Sequence, residues 1–371
     1  MNARKLGIAL GVVVVGAVAG LAGLKIALHN PEVQDWIVRR AVDENQTAVA
    51  VNRALIDAPE LRVLLCGTSS PMPNKDRAGP CAAVMAAGQL WLVDVGGGGW
   101  RNLALWKIPG ERVRGVLLTH FHSDHIQDLG DVNLETWVAG RPAPLAVYGG
   151  PGVDRVVAGF TEAYALDSGY RMAHHGTQML PAEEGAMVPH VVGAAGGAVL
   201  AEGARVDFYD VDGLKISAIG VNHSPVSPAY AYEFTYHGRS VVISGDTKAS
   251  PAFAAAVAGV DVMVHEAQAA RAIATMGDGM RAHGNDRLAK LLHDIATYHT
   301  TPEQAAGIAN TAGAKLLVMT HLTPPAPGFL AKLIFLDPAR TIRPTGTLLG
   351  EDGMLISLPA DSSAIDVGTL N

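Results

Sequence analysis

From Glu60 onward, apolar runs of strand length recur at 61–66, 81–84, 90–93, 113–118, 145–148, 214–221, 229–236, 240–243, 260–264, 315–319 and 354–358. They are broken by glycine, proline and charge, as strands are. Segments of helical spacing follow His125 and Ser250 and occupy 153–165, 286–296 and 301–312. The last begins Thr301-Pro302-Glu303-Gln304, with Thr as cap, Pro in the first position and Gln in the third. This mixture predicts an α/β domain over 60–360, with sheets covered by helices and a tail over 361–371. The Gly- and Ala-rich stretch 190–203 reads as a loop or insertion edge.

The N-terminus has a different pattern. Residues 6–24 carry no charge, and at about 1.5 Å per residue the run reaches roughly 28 Å, the thickness of a bilayer core. Residues 1–30 are therefore expected to be a transmembrane anchor, or else a cleaved signal. Arg4 and Lys5 before the run place the body on the outer, periplasmic side, membrane-anchored or, after cleavage, secreted. A juxtamembrane helix and linker follow over 31–59, the helix running to about residue 48.

The net charge of −7 disfavours a nucleic-acid partner without closing the question. Two cysteines, Cys66 and Cys81, are too few for a cysteine-based zinc finger; they read either as a disulfide or as two inert buried thiols.

The chemistry concentrates in Thr119-His120-Phe121-His122-Ser123-Asp124-His125, directly after an apolar strand. Three imidazoles and a carboxylate on one rigid strand end suit zinc, with His120 and His122 facing one ion and Asp124 and His125 a second. Single ligand-type residues also end later strands: His223, Asp246 and His321.

This cluster resembles the His-x-His-x-Asp-His signature of the metallo-β-lactamase superfamily. Within it, 61–358 is most similar to the tRNase Z branch and its arylsulfatase-like relatives. The resemblance rests on Cys66-Gly67-Thr68-Ser69-Ser70-Pro71, on Pro73-Asn74-Lys75-Asp76-Arg77, on Val93-Asp94-Val95-Gly96, on His265-Glu266-Ala267 and on Tyr298-His299-Thr300. It implies a four-layer αββα sandwich and two zinc ions per chain. His120, His122 and His223 would hold the first, and Asp124, His125 and His321 the second, with Asp246 between them and a metal-bridging hydroxide as nucleophile. Asp124 would also orient the attacking water. His265, oriented by Glu266, would be the acid for the leaving group. Asp94 would brace the cluster, His299 would support it, and Lys75 and Arg77 would contact an anion. His174-His175 would lie on a loop at the pocket rim, and Gly96 to Gly99 would let backbone approach the metals. The resemblance suggests a homodimer, although no interface is legible.

Substrate is where the sequence departs from that branch. Its Arg-Asn is Arg77-Ala78 here, and residues 150–210, where relatives carry a basic arm for tRNA, hold three arginines against eight carboxylates. The leading expectation is therefore an extracytoplasmic hydrolase of small anionic esters, phosphodiesters or aryl sulfates. A 3′ tRNA-processing endoribonuclease comes second, and a catalytically silent metal-binding membrane protein third.

Overall fold

The structure, a computed structural model, describes Lys25 and residues 28–370. The chain divides into two compact units, residues 1–52 and 53–371. In the first, the described residues lie mainly in the helix Pro31–Asp57, which continues past the expected end near 48. Trp36, Ile37 and Val38 are exposed on it. Arg40 lies 5.7 Å over the Trp36 ring and 2.8 Å from Glu44. The apolar run 6–24, and with it the expected anchor or signal, lies outside the described residues. Among the described residues no helix is long and apolar enough to cross a membrane.

The second unit is built on two sheets. Its strands are β1 (Glu60–Gly67), β2 (Cys81–Ala86), β3 (Gln89–Val93), β4 (Val113–Leu117), β5 (Leu145–Gly149), β6 (Met187–Val191), β7 (Arg205–Val211), β8 (Leu214–Gly220), β9 (Tyr230–Tyr236), β10 (Arg239–Ile243), β11 (Val262–Gln268), β12 (Leu316–Thr323), β13 (Thr347–Leu349), β14 (Met354–Pro359) and β15 (Asp366–Thr369). The first sheet has the order β15-β14-β1-β2-β3-β4-β5-β6, and the second β13-β12-β11-β10-β9-β8-β7. Each is antiparallel in one half and parallel in the other, the parallel ladders being β3 to β6 and β10 to β13. Strands of a parallel ladder are covered on both faces, which is why Val116-Leu117-Leu118 and Val262-Met263-Val264 are continuous apolar runs.

Three apolar cores account for the layers. The two-residue alternation of faces is clearest in β1: Val63 and Leu65 face the second sheet, where Tyr232, Phe234, Val241 and Val264 meet them. Leu64 and Cys66, on the opposite face, join Leu103, Val132 and Val153 from helices outside the first sheet. Phe253, Ile308 and Phe335 cover the outer face of the second sheet with Met263 and Leu317. The helix Pro302–Ala312 starts with the expected capping box between Thr301 and Gln304, which fixes the chain just after His299.

Several expectations are corrected. Within the tail, β15 pairs with β14, a strand the sequence did not show. Residues 187–191, partly within the expected loop, form the edge strand β6. The helix Val153–His175 runs ten residues beyond 165, so His174 and His175 lie in its exposed last turn and not on a loop.

Cys66 and Cys81 form a disulfide with their Cα atoms 5.0 Å apart, joining the end of β1 to the start of β2. The ring so closed carries residues 67–80. Its interior is tied down by Ser69 N donating to Ala78 O (2.9 Å), and its base by Gly79 N to Gly97 O and Gly96 N to Pro80 O, both 2.9 Å. Gly67 has no alternative, since a Cβ there would lie 1.7 Å from Gly79 O. Closing a loop of this length constrains the unfolded chain, so replacing both cysteines by alanine is expected to cost about 3 kcal/mol. Urea denaturation of the oxidised protein and the double variant measures it.

Candidate metal centre

Four strand ends converge at one end of the sandwich. β4 of the first sheet leads into His120, His122, Asp124 and His125, while β8, β10 and β12 of the second deliver His223, Asp246 and His321. All seven expected ligands are brought together. His120, His122, His223 and Asp246 form one group whose ligating atoms lie within 4.8 Å of one another, and Asp124, His125 and His321 form another. Asp246, His299 and His321 form a third, overlapping both.

Asp246 sits between the first two groups. Its Oδ2 lies 3.8 Å from His120 Nε2, 3.8 Å from His223 Nε2 and 3.4 Å from His125 Nε2, and its Oδ1 lies 3.5 Å from His321 Nε2. Asp124 Oδ2 is 3.5 Å from His125 Nε2 and 3.4 Å from His321 Nε2. His120 Nε2 and His122 Nδ1 are 2.9 Å apart. Donors about 2.0–2.2 Å from a tetrahedral zinc stand roughly 3.4 Å from each other, within the spread seen here. His125 Nε2, His223 Nε2 and Asp246 Oδ1 are buried without a hydrogen-bond partner among the described residues. Buried polar atoms are rarely left so, and the donor set fits a divalent metal, typically zinc.

The second ring nitrogen of each ligand fixes its orientation. His125 Nδ1 lies 2.8 Å from Asp94 Oδ2, and His223 Nδ1 lies 3.0 Å from Tyr298 O. Asp94 is itself held by the Thr119 amide (2.9 Å) and hydroxyl (2.8 Å), and the same hydroxyl lies 3.1 Å from His120 Nδ1. Thr119 opens the ligand motif in the sequence but had no role assigned there; the structure gives it this bracing one. Asp94 (φ 55°) and His321 (φ 49°) occupy left-handed backbone, a strain that marks functional positions. Gly96 allows the close approach expected of it, since a Cβ would lie 2.4 Å from Asp124 O. Asp94→Ala is expected to weaken metal affinity about 10- to 100-fold, read by competition with a chromogenic chelator.

Burial lowers His120 well below the usual imidazole range, helped by His125, and burial also lowers His122 and His223. These rings are thus in the neutral, ligating form. For His125 burial opposes the charge, but Asp246 and Asp94 outweigh it and hold the ring well above its ordinary value. Burial likewise opposes the charge on Asp246, yet His321 and His125 keep its carboxyl well below the usual range.

The expected acid needs correction. His265 is fully buried on β11, its Nδ1 is 2.8 Å from the Glu266 carbonyl, and its ring packs 5.8 Å from Phe253 in the core outside the sheet. Neighbours on a strand point to opposite faces, so the Glu266 carboxylate cannot orient it. Glu266 Oε1 instead lies 2.9 Å from His299 Nδ1 and accepts from the amides of Thr247 (3.0 Å) and Thr300 (3.3 Å). His299, expected only as support, packs against His223 and His321 with ring centroids 5.2 and 5.7 Å away. Burial disfavours its charge, but Glu266 overcomes this and pushes the ring up to about 9. Nδ1 is spent on Glu266, which leaves Nε2 for the centre.

The two expected anion contacts differ. Arg77 Nη1 donates to Thr68 Oγ1 (2.6 Å) and Gly350 O (2.5 Å), and Nη2 is 3.9 Å from Glu351. Through Nη1 its guanidinium braces the loop, and Arg77 also lines the cavities on either side of it. Lys75 is exposed, 3.2 Å from Asp76, and lines a cavity of about 530 Å³ that Glu351 and Asp352 also line.

Comparison with known proteins places this arrangement. The family described as beta-lactamase superfamily domain matches residues 92–322, more than half of the chain. Ribonuclease Z of Mycobacterium bovis (strain BCG Pasteur) is 37% identical over 269 residues, covering 71% of this chain and 86% of the relative. Ribonuclease Z of Mycobacterium avium is 36% identical over 267 residues, with 71% and 86% covered. The crystal structure of human tRNase Z, short form, is similar in fold, with a TM-score of 0.57 at 21% identity over 80% of this chain and 99% of that one.

Proposed function

Because the chain belongs to the metallo-β-lactamase superfamily, in its ribonuclease Z branch, we propose that it is a binuclear zinc phosphodiesterase that cleaves RNA. This reverses the order expected from sequence, which put small esters first and held nucleic acid in disfavour; similarity to the mycobacterial ribonucleases Z supports the change. The observation that carries the chemistry is Asp246 shared between two ligand groups, with the His299–Glu266 pair beside it.

His120, His122, His223, Asp124, His125, His321 and Asp246 would hold divalent metal, which would supply a water of lowered pKa and offset the charge on the phosphate. Asp124, more open than Asp246, accepts a hydrogen bond from the attacking water and so aims it. As the water oxygen bonds to phosphorus and the ester P–O bond breaks, His299 gives its Nε2 proton to the departing oxygen. Glu266 keeps that ring protonated beforehand and fixes its plane.

A second reading, small anionic diesters, draws on the segment 150–210. Arg171 there is paired with Asp167 at 2.9 Å, and Arg205 with Glu233 at 2.6 Å and Asp207 at 3.3 Å. Little positive charge remains to grip a folded RNA. The metal-loaded full chain is to be assayed on a 3′-extended tRNA precursor, bis-p-nitrophenyl phosphate and p-nitrophenyl sulfate. Cleavage of the precursor near the end of its acceptor stem is the expected result. Turnover of the small diester with intact RNA transfers the assignment to the second reading, and failure on all three with two zinc ions bound ends both.

We also propose that the enzyme works outside the reducing cytosol, a reading supported by the Cys66–Cys81 disulfide and the apolar run 6–24. A reporter fused after Asn371 that is active only in the cytosol would reject this.

A further inference from the structure

The turn between β13 and β14 carries Asp352, a carboxylate outside the seven metal ligands. Its Oδ1 accepts from the Thr68 hydroxyl (2.7 Å), and its Oδ2 from the Ala78 amide (2.7 Å) and the Asn102 side-chain amide (3.0 Å). One group therefore grips both legs of the loop 67–80, just inside the Cys66–Cys81 bridge, and ties them to the helix Gly99–Leu105. Asn102 Nδ2 closes the arrangement by also donating to Cys66 O (2.9 Å).

Thr68 is fully buried, and its hydroxyl stands between two charged groups with opposite needs. An ionised carboxylate only accepts hydrogen bonds, and a guanidinium only donates them. The Thr68 proton is thus committed to Asp352, and an oxygen lone pair to Arg77 Nη1 at 2.6 Å. Bonds to charged partners are roughly twice as strong as neutral ones, so this hydroxyl does not turn away. The other Nη1 proton goes to Gly350 O (2.5 Å), in the same turn as Asp352. Both Nη1 directions being fixed, the plane of the guanidinium is fixed as well. Nη2 remains, and its acidic neighbour Glu351 is exposed and 3.9 Å away. Arg77 lines cavities on both sides of the loop, of about 530 and 260 Å³, and Asp124 lines the smaller.

We propose that Asp352 is a positioning residue for hydrolysis: through the Thr68 hydroxyl it aims the Arg77 guanidinium at the anionic substrate beside the metal centre. This rests on the phosphodiesterase reading above. Asp352 acts on where the anion is held and not on the bond that breaks, so its contribution falls on KM.

The test measures kcat, KM, bound zinc and melting temperature with bis-p-nitrophenyl phosphate and the zinc-loaded full chain. Asp352→Ala is expected to raise KM at least about fivefold, with kcat within about twofold and two zinc ions retained. Thr68→Val, which removes the relay and keeps the shape, is expected to do the same and serves if Asp352→Ala does not fold. Thr68→Ser, which keeps the hydroxyl, is expected to restore KM. Added to Arg77→Ala, the Asp352→Ala change is expected to have no further effect on KM, because both act along one path. A lowered melting temperature with unchanged KM, a loss of zinc, a fall in kcat as large as the rise in KM, or a double variant in which the two effects multiply overturns the proposal. No hydrolysis by the wild type with zinc bound removes the hydrolase reading itself.

Discussion

Asp246→Ala is expected to lower hydrolysis of bis-p-nitrophenyl phosphate by on the order of 10³-fold and to reduce bound metal below two ions per chain. The size follows from position. One carboxylate reaches both ligand groups, with its two oxygens 3.4–3.8 Å from four imidazoles. Its loss removes the one carboxylate that lies within reach of both groups and leaves the neighbouring nitrogens in a buried space without their negative partner. Chelation of the wild type is expected to give the same loss, restored by added zinc, and to lower the melting temperature because metal binds only the folded chain. Metal content and initial rates measured on the same samples check this. A variant that keeps two ions and activity within tenfold of wild type would remove Asp246 from the centre.

The second large effect belongs to His299. His299→Ala is expected to slow cleavage of RNA by about 10²- to 10⁴-fold, because a ribose oxygen leaves poorly without a proton. With a p-nitrophenyl diester the loss is expected to stay within about tenfold, since the phenolate departs as a stable anion. Glu266→Gln should show the same leaving-group dependence with a smaller amplitude, as it keeps the hydrogen bond and loses the charge that raises the ring to about 9. A uniform loss across both substrates would instead indicate a structural role.

The ligands were legible because each follows an apolar run that the sheets bury. Val116-Leu117-Leu118, Val241-Val242-Ile243 and Leu316 to Met319 announce their strands, and His120, Asp246 and His321 follow these runs within three residues. What failed was the step from neighbours in sequence to neighbours in space. His265 and Glu266 are adjacent on β11, and the strand's two-residue period sends one side chain into the outer core and the other to His299, 33 residues on. That alternation was available in the sequence, but a motif read as a unit conceals it. Arg77 shows a different limit. Its partners, Thr68 and Gly350, come from the end of β1 and a segment near the other end of the chain, and nothing local reveals that a loop arginine is already occupied. The edge strands β6, β7 and β15 escaped because polar, exposed residues interrupt them; β7 nevertheless carries Val206 and Phe208 at alternate positions, partly buried among Asp207 and other polar neighbours.

The covalent ring from Cys66 to Cys81 bears on how the enzyme is prepared. Loop residues within it wall both cavities, and Gly79 and Pro80 at its base rest on Gly96 and Gly97, against the backbone of Asp124. Chain recovered from a thiol-rich host and chain recovered by export are expected to differ by that bond, and with it in how firmly the walls of both cavities are held. Comparing rates from the two sources therefore requires a thiol titration beside every assay.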